Sequence, residues 1–140
     1  MALRDQFEGR EFDWFAVDSA GYIAHFSTAG FGPVPIIILE TFSTADLLPD
    51  EILRLSPQSG AVGHLPGDLT DWLSMAARGL HSFDWQHWDG PYRRAATPET
   101  PRHIATLPEP VQTSIRFITF SNTHFENINE FRPEQLCACE

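Results

Sequence analysis

Aromatic and apolar residues alternate with small or polar ones on both sides of a short polar turn near the start of the chain. The stretch runs from Phe12 to Ser27 and reads FDWFAVDSAGYIAHFS. Its turn, Asp18 to Gly21, has residues typical of tight turns, and the flanking aromatic and β-branched residues favour strands. The pattern therefore predicts a β-hairpin.

The pairing across this turn determines which side chains share a face of the hairpin. If Val17 lies opposite Tyr22, alternation gives one face that is almost wholly apolar. That face carries Phe15, Val17, Tyr22, Ala24 and Phe26, and the mixed face carries Phe12, Trp14, Ala16, Ile23, His25 and Ser27. We expect the first face to lie on a hydrophobic core.

Later segments have the features of helices. Pro49 suits a first helical turn, and the Asp50 and Glu51 that follow it favour the positive end of the helix dipole. A helix is also predicted over Asp68 to Gly79, where apolar residues recur at helical spacing: Leu69, Trp72, Leu73, Ala76 and Leu80. The segment Val111 to Arg116 follows a proline-led helix start, but its β-branched residues equally permit a strand.

Strand patterns return in the second half of the chain. Phe83 and Trp85 alternate with polar residues, a turn covers His87 to Pro91, and Tyr92 to Ala96 predicts a returning strand. Ile118 to Phe120 and His124 to Phe131 are expected to form terminal strands, or one strand with a bulge. The segment Thr97 to Pro110 holds four prolines and is expected to be extended and on the surface.

Strands at both ends of the chain with helices between them indicate an α+β fold. We expect an antiparallel sheet, opened by the N-terminal β-hairpin, with helices packed on one face. Ser56 to Pro66 resembles a linker, but no repeat or domain boundary divides the sequence, and 140 residues suit one hydrophobic core. Residues 1–140 are therefore predicted to form a single domain.

The charge balance is strongly acidic. Nineteen acidic residues oppose nine basic ones, all of them arginine, for a formal net charge of −10. Such a balance argues against nucleic-acid binding, which needs cationic side chains, and favours attraction to a basic protein partner. The alternative is that the acidity has no functional meaning, since many cytosolic proteins are acidic.

The chain is predicted to be a cytoplasmic protein. No apolar run approaches the roughly 20 residues of a membrane helix, and the polar start MALRDQFEGREF has no hydrophobic signal region. Cys137 and Cys139 do not make a disulfide framework. We interpret them as reduced thiols, the alternative being a metal or redox role.

Candidate catalytic residues are few. His81 and His87 flank Asp84, and a carboxylate that orients a histidine is a common general-base arrangement. No nucleophile motif lies beside them, and their spacing on a strand points His81 and Asp84 to opposite faces, so no catalytic residue is predicted. Neither CxxC, HExxH nor EF-hand spacing occurs, and we expect no metal and no cofactor.

Aromatic and acidic residues offer a candidate binding surface. Trp88 lies in the His87 to Pro91 turn among acidic residues, and Trp and Tyr dominate binding hot spots. The alternative is that Trp88 folds back over the sheet edge. The predicted partner-binding residues are Asp84, Trp88, Asp89 and Tyr92 around this turn, with Asp46, Asp50 and Glu51 as an acidic patch.

Three segments carry a family resemblance. They are FDWFAVDSAGYIAHFSTAGFGPVP, FDWQHWDGPYRRAATPETP, and LPEPVQTSIRF followed by HFENINEF. Their order resembles small, uncharacterised bacterial proteins among the immunity proteins of polymorphic toxin systems. The resemblance implies a non-enzymatic cytoplasmic antitoxin that covers the active site of a cognate toxin, and it assigns no binding residues.

The acidic charge agrees with this implication, because the substrate groove of a nuclease toxin is basic and complementary charge speeds encounter. Three alternatives remain. The chain could be a small enzyme that uses the His81, Asp84 and His87 region, or an adaptor unrelated to toxins. It could also be a ligand-binding module, which would need a deep apolar cavity between helix and sheet.

Overall fold

The computed structural model describes residues 3–4, 12–29, 32–35, 37–38, 47–87 and 89–132. The strands are β1 (Leu3–Arg4), β2 (Asp13–Asp18), β3 (Ile23–Ser27), β4 (Val34–Pro35), β5 (Ala61–Gly63), β6 (His81–Trp85), β7 (Tyr92–Pro98), β8 (Thr119–Phe120) and β9 (Glu130–Phe131). Helices α1 (Leu48–Leu53), α2 (Thr70–Ala77) and α3 (Glu109–Arg116) lie between them, with 3-10 turns at Ile104–Thr106 and Phe125–Asn127. Within the described ranges no helix has the length and apolar character needed to cross a membrane.

Seven strands form one mixed sheet, so the predicted α+β class is confirmed but the purely antiparallel sheet is wrong. Six strands lie in the order β5-β7-β6-β3-β2-β8, and β9 pairs with the start of β7. The pairs β3–β6 and β2–β8 are parallel, whereas the others are antiparallel. A parallel pair needs a long crossover, and the connection from β3 to β6 contains α1 and α2. β1 and β4 pair separately.

Strands β2 and β3 form the predicted hairpin, but its register differs by one residue from the expected one. The observed pairs are Asp13–Ser27, Trp14–Phe26, Phe15–His25, Ala16–Ala24 and Val17–Ile23. A shift of one residue exchanges the faces of a strand. Ile23 and His25 therefore share a face with Phe15, and Tyr22 lies outside the ladder with 37% of its surface exposed.

The side chain of Asp18 accounts for this register. Its Oδ1 accepts hydrogen bonds from the backbone N–H groups of Ala20 and Tyr22, both at 2.9 Å. Its Oδ2 accepts a third from the buried N–H of Phe125 at 3.0 Å. Gly21 adopts a positive φ of 90°, a conformation that glycine reaches without steric strain. The carboxylate thus holds a loop one residue longer than the sequence pattern suggests.

Each face of the sheet packs on its own hydrophobic core. The helix-side core comprises Phe15, Val17, Ile23, Leu48, Ile52, Met75, Leu80, Ile104, Leu107, Val111 and Ile115. The aromatic core comprises Phe12, Trp14, Ala16, Ala24, Phe26, Val34, Ile38, Phe83, Trp85, Tyr92, Ile118, Phe120 and Phe125. Helices α1, α2 and α3 all contribute to the helix-side core, as predicted, although helical Ile38 lies in the aromatic core.

The helix predictions are confirmed with adjusted bounds. Pro49 lies in the first turn of α1, and α2 is shorter than expected because it begins at Thr70. The segment that permitted helix or strand forms α3. The expectation of a surface segment from Thr97 to Pro110 is wrong in part, because Ile104 and Leu107 are buried in the helix-side core.

Candidate functional site

The predicted partner-binding residues lie at separate places in the fold. Asp50 is exposed and Glu51 partly exposed on α1, whereas Asp89 is exposed in the turn between β6 and β7. Asp84 is partly buried on β6. Asp46 and Trp88 lie outside the described residues.

Tyr92 does not fit the surface role expected for it. Its side chain is fully buried in the aromatic core. The hydroxyl accepts a hydrogen bond from Trp14 Nε1 and donates one to the carbonyl of Pro33, each at 3.0 Å. Burial raises the pKa of Tyr92 above its ordinary value. Alternation along β7 turns this residue inward, and it stabilises the core instead of contacting a partner.

The residues of the enzyme alternative do not converge. His81 and Phe83 lie opposite Ala24 and Phe26, on the aromatic-core face of β6. Asp84 points to the other face, and His87 is exposed beyond the end of the strand. His81 contacts Arg94 instead of a carboxylate on its own strand, with 2.9 Å between Arg94 Nη1 and His81 Nδ1.

The environment of His81 disfavours its protonated form. Burial is the main reason that its pKa falls from 6.5 to about 4, and the charge of Arg94 lowers it further, against a smaller opposing effect of Asp18. A guanidinium is always charged and can only donate, so Nδ1 of His81 must accept and remain unprotonated. His81 is therefore part of a buried structural network.

Stability is expected to rise with pH between about 4 and 6.5 because of His81. In this window the unfolded chain binds a proton at His81 that the folded chain does not, so the free energy of unfolding falls on acidification. One such group contributes at most about 1.4 kcal/mol per pH unit. Urea unfolding at several pH values across this window gives the free energy of unfolding. We expect this free energy to change less with pH in His81→Gln than in wild type. An equal change in both proteins would contradict the assignment.

A cavity of about 330 Å³ lies between the hairpin and the helices α1 and α2. Its lining comprises Asp13 and His25 from the hairpin, Pro49 and Leu53 from α1, and Thr70, Asp71, Ser74 and Met75 from α2. We call it the acidic groove. Leu53 is 41% exposed and Asp71 is exposed, so the groove is open to solvent, and the predicted Asp50 and Glu51 lie on α1 between two of its lining residues.

His25 connects the acidic groove to the interior of the sheet. Its Nδ1 lies 2.7 Å from Ser82 Oγ, and its Nε2 lies 3.5 Å from Asp13 Oδ1. The second contact is electrostatic, because within the described residues the buried Nε2 has no hydrogen-bond partner. The order Ser, His, Asp is that of a hydrolytic triad, but Ser82 is fully buried, so in this structure its hydroxyl does not reach the groove.

Asp13 carries a negative charge at the mouth of this arrangement. Burial by itself raises the pKa of Asp13, but the charge and close contact of His25 and a hydrogen bond from Ser27 outweigh it. The pKa of Asp13 is therefore below its ordinary value. Sequence reasoning missed this contact, since the expected register placed Asp13 opposite Phe26. In the observed register Asp13 and His25 are diagonal neighbours on one face of the hairpin.

Several arginines in the described part of the chain bind backbone carbonyls, whereas Arg54 and Arg116 are exposed. Arg78, Arg94, Arg102 and Arg132 donate hydrogen bonds to backbone carbonyls. Arg93 forms an ion pair of 2.6 Å with Glu130. Several exposed or partly exposed carboxylates form no ion pair with an arginine in the described part of the chain, among them Asp13, Asp50, Glu51, Asp68, Asp71, Asp89, Glu99, Glu109 and Glu126.

A second, more open cavity of about 390 Å³ lies at the hairpin turn and is lined by residues 17–21, His103, Ile104, Arg116, Thr119 and Ser121. Neither cavity is the deep apolar one that a ligand-binding module would need. Among the residues that the structure describes, no three His, Cys, Asp or Glu side chains are grouped to hold a metal ion. No family model, curated protein or solved structure matches this chain.

Proposed function

We propose that this protein is a non-enzymatic immunity protein, which binds a basic protein toxin in the cytoplasm and blocks it. The observation that carries the proposal is the unbalanced surface charge. Arg78, Arg94 and Arg102 donate to carbonyls inside the fold, whereas exposed carboxylates such as Asp50 and Asp71 have no arginine partner among the described residues. The order of the three sequence segments that resemble immunity proteins supports the same function.

Charge of this kind acts mainly on association. Complementary potentials raise the rate of encounter and select against acidic partners, and the effect falls with ionic strength. Of the predicted partner-binding residues, Asp50 and Glu51 on α1 lie next to the acidic groove. We therefore place the contact with the partner at Asp50, Glu51 and the acidic groove, with Asp89 and Asp84 as a second predicted region.

Co-expression tests the immunity function. The product of the gene next to this one is expected to arrest growth when produced alone and to be tolerated when this chain is co-produced. The purified pair should elute as one complex in size-exclusion chromatography. If the neighbouring product is harmless and forms no complex, the immunity function is wrong, and a complex without toxicity would favour an adaptor.

Charge variants test the surface. The double variant Asp50→Asn/Glu51→Gln is expected to lower the association rate constant roughly tenfold at low salt, since steering depends on local charge. Stopped-flow association at several salt concentrations measures the effect. The matched control Glu99→Gln/Glu126→Gln removes the same charge from exposed positions elsewhere. Equal losses in both variants would show that net charge, and not the α1 surface, drives association.

A further inference from the structure

We propose that two copies of this chain pair through strand β5, antiparallel to each other about a two-fold axis at Val62. β5 (Ala61–Gly63) lies at one edge of the sheet, and among the described strands it pairs with β7 alone. An open edge strand is a template for a further strand. This inference goes beyond the proposed function and does not rest on it.

The backbone groups of Ala61 and Gly63 point into this open edge. Along an antiparallel pair, residues that bond the neighbouring strand alternate with residues that do not. The N–H of His64 donates to the carbonyl of Ala95 on β7, so the residues on either side of Val62 belong to the second group. Ala61 indeed lies opposite Pro98, which has no N–H to donate. The N–H and C=O groups of both residues are therefore directed away from β7.

Two copies of this edge complement each other in one register. When Ala61 lies opposite Gly63 of the second copy, each of these symmetric pairs exchanges both of its backbone hydrogen bonds. A register in which Ala61 lies opposite itself would place Ser59 opposite Gly63. The N–H of Ser59 already donates to the carbonyl of Ala77, so that register loses a hydrogen bond.

Val62 gives a second reason for this register. Its side chain is 49% exposed. In the proposed pairing it lies opposite its own copy, at a position without hydrogen bonds, where the side chains of two strands come closest. Cross-strand pairs of this kind stabilise a sheet, and β-branched residues pack well there. The other face of β5 is already covered, since a Cβ at Gly63 would lie 2.8 Å from Leu69 Cδ1.

Polar side chains at the two ends of β5 are complementary in the same register. An oxygen of the exposed Glu99 lies 2.7 Å from the position that a Cβ of Gly60 would take. The Glu99 carboxylate therefore lies on the face of β5 that carries Val62, because side chains at alternate positions share a face. On that face, His64 of the second copy lies opposite Gly60. The two-fold axis repeats this Glu99–His64 contact at the other end.

The tautomer of His64 suits it to donate to Glu99. Thr97 Oγ1 accepts a hydrogen bond from Arg94 Nη1 at 3.2 Å, which leaves the Thr97 hydroxyl hydrogen for His64 Nε2 at 2.8 Å. A neutral ring that accepts at Nε2 carries its proton on Nδ1. That N–H is the group that donates to the carboxylate of the second copy.

The distribution of charge allows a second copy to approach at β5. A chain with a formal net charge of −10 repels its own copy, but no charged side chain occurs between Arg54 and Asp68. β9, which lies on the same side of β7, carries Glu130 in an ion pair with Arg93. Charges protect an edge from pairing, as do prolines and bulges. β5 has none of these features.

Sedimentation velocity of the full chain tests the dimer. A range of roughly 10 μM to 1 mM protein covers the affinities expected of so small an interface. We expect the sedimentation coefficient to rise with concentration, as it does in a monomer–dimer equilibrium. A monomer at every concentration in this range would overturn the proposal.

Two lysine substitutions locate the interface. Val62→Lys should weaken dimerisation by roughly tenfold or more, because two like charges then lie opposite each other across the axis. The matched control Phe117→Lys adds the same charge at another exposed apolar side chain and should dimerise like wild type. Circular dichroism shows that both variants are folded. Equal effects of the two substitutions would overturn the assignment to β5.

Hydrogen exchange followed by NMR tests the hydrogen bonds themselves. The amides of Ala61 and Gly63 should gain protection as the protein concentration rises, whereas the amide of His64, which already bonds β7, should not change. A dimer in which Ala61 and Gly63 exchange at the monomer rate would pair elsewhere and overturn the assignment. Protection of these amides only in the presence of a different protein would also overturn it, because the edge would then accept a strand of that protein.

Discussion

Replacing Arg94 with methionine is expected to lower the free energy of unfolding by about 3–4 kcal/mol, although no carboxylate pairs with this arginine among the described residues. Arg94 is buried. Its Nε and Nη2 donate to the carbonyl of Ile128 at 2.9 and 2.6 Å, Nη2 also donates to the carbonyl of Phe125, and Nη1 donates to His81. Methionine keeps much of the stem but removes all of these donors.

Two opposing effects determine the size of this loss. Removing a buried guanidinium relieves the cost of its desolvation, which already lowers the pKa of Arg94 to about 10. Each buried acceptor left without a donor costs roughly 1–3 kcal/mol. The carbonyl of Ile128 and the ring nitrogen of His81 lose the donors that Arg94 gives them, whereas the carbonyl of Phe125 keeps the N–H of Ile128. The second effect is larger, so the substitution destabilises the fold.

Arg93 provides the matched control because it is adjacent in sequence. Its side chain is 36% exposed and pairs with the half-exposed Glu130, so Arg93→Met should cost at most about 1 kcal/mol. Urea unfolding followed by tryptophan fluorescence measures both variants. If Arg94→Met lowers the free energy of unfolding no more than Arg93→Met does, the hydrogen bonds of Arg94 to the carbonyls of Phe125 and Ile128 do not stabilise the fold. Arg94→Lys should be intermediate, since an ammonium cannot reach all the acceptors at once.

The contrast between these neighbours shows what the sequence could have revealed. In YRRAA, alternation along β7 turns Arg94 to the same face as Tyr92. Once Tyr92 is assigned to the core, an inward Arg94 follows. Its acceptors could not be predicted, because they lie on the segment from Phe125 to Ile128, more than 30 residues away in sequence.

Local patterns predicted the elements well. The hairpin, α1, β6 and the start of β7 follow from alternation, turn residues and dipole-favouring acids, which act over a few residues. The parallel pairs β3–β6 and β2–β8 depend on crossovers, which local patterns do not encode. The prediction of a purely antiparallel sheet is therefore wrong.

The candidate site was predictable only in part. Asp50 and Glu51 were selected for charge, and α1 carries them beside a groove. Asp13 and His25 were missed, because the correct register depends on Asp18. A one-residue error moves His25 to the other face of the hairpin, away from the helices that close the groove.

Asp18→Ala is therefore expected to destabilise the fold by about 3–5 kcal/mol. The carboxylate is 4% exposed and accepts three backbone N–H bonds, from Ala20, Tyr22 and Phe125. Hydrogen bonds to a charged group contribute roughly 1.5–3 kcal/mol each, and water can replace only those in the partly buried turn. The buried N–H of Phe125 is left without an acceptor.

Asp68→Ala is the control, because Asp68 also accepts a backbone N–H, from Thr70, but at an exposed position. It should cost far less stability than Asp18→Ala, because water can replace the carboxylate at this exposed position. The stability of Asp18→Asn should lie between those of the two alanine variants, since its amide keeps one oxygen for the turn but presents an NH2 group where Oδ2 accepts from Phe125.

Urea unfolding gives the free energies, and hydrogen exchange at the Phe125 amide reports the long-range bond directly. Loss of protection at Phe125 in Asp18→Ala, with protection kept in Asp68→Ala, is the expected result. Full protection in both variants would mean that another acceptor serves Phe125 and that Asp18 does not connect the hairpin turn to the C-terminal segment.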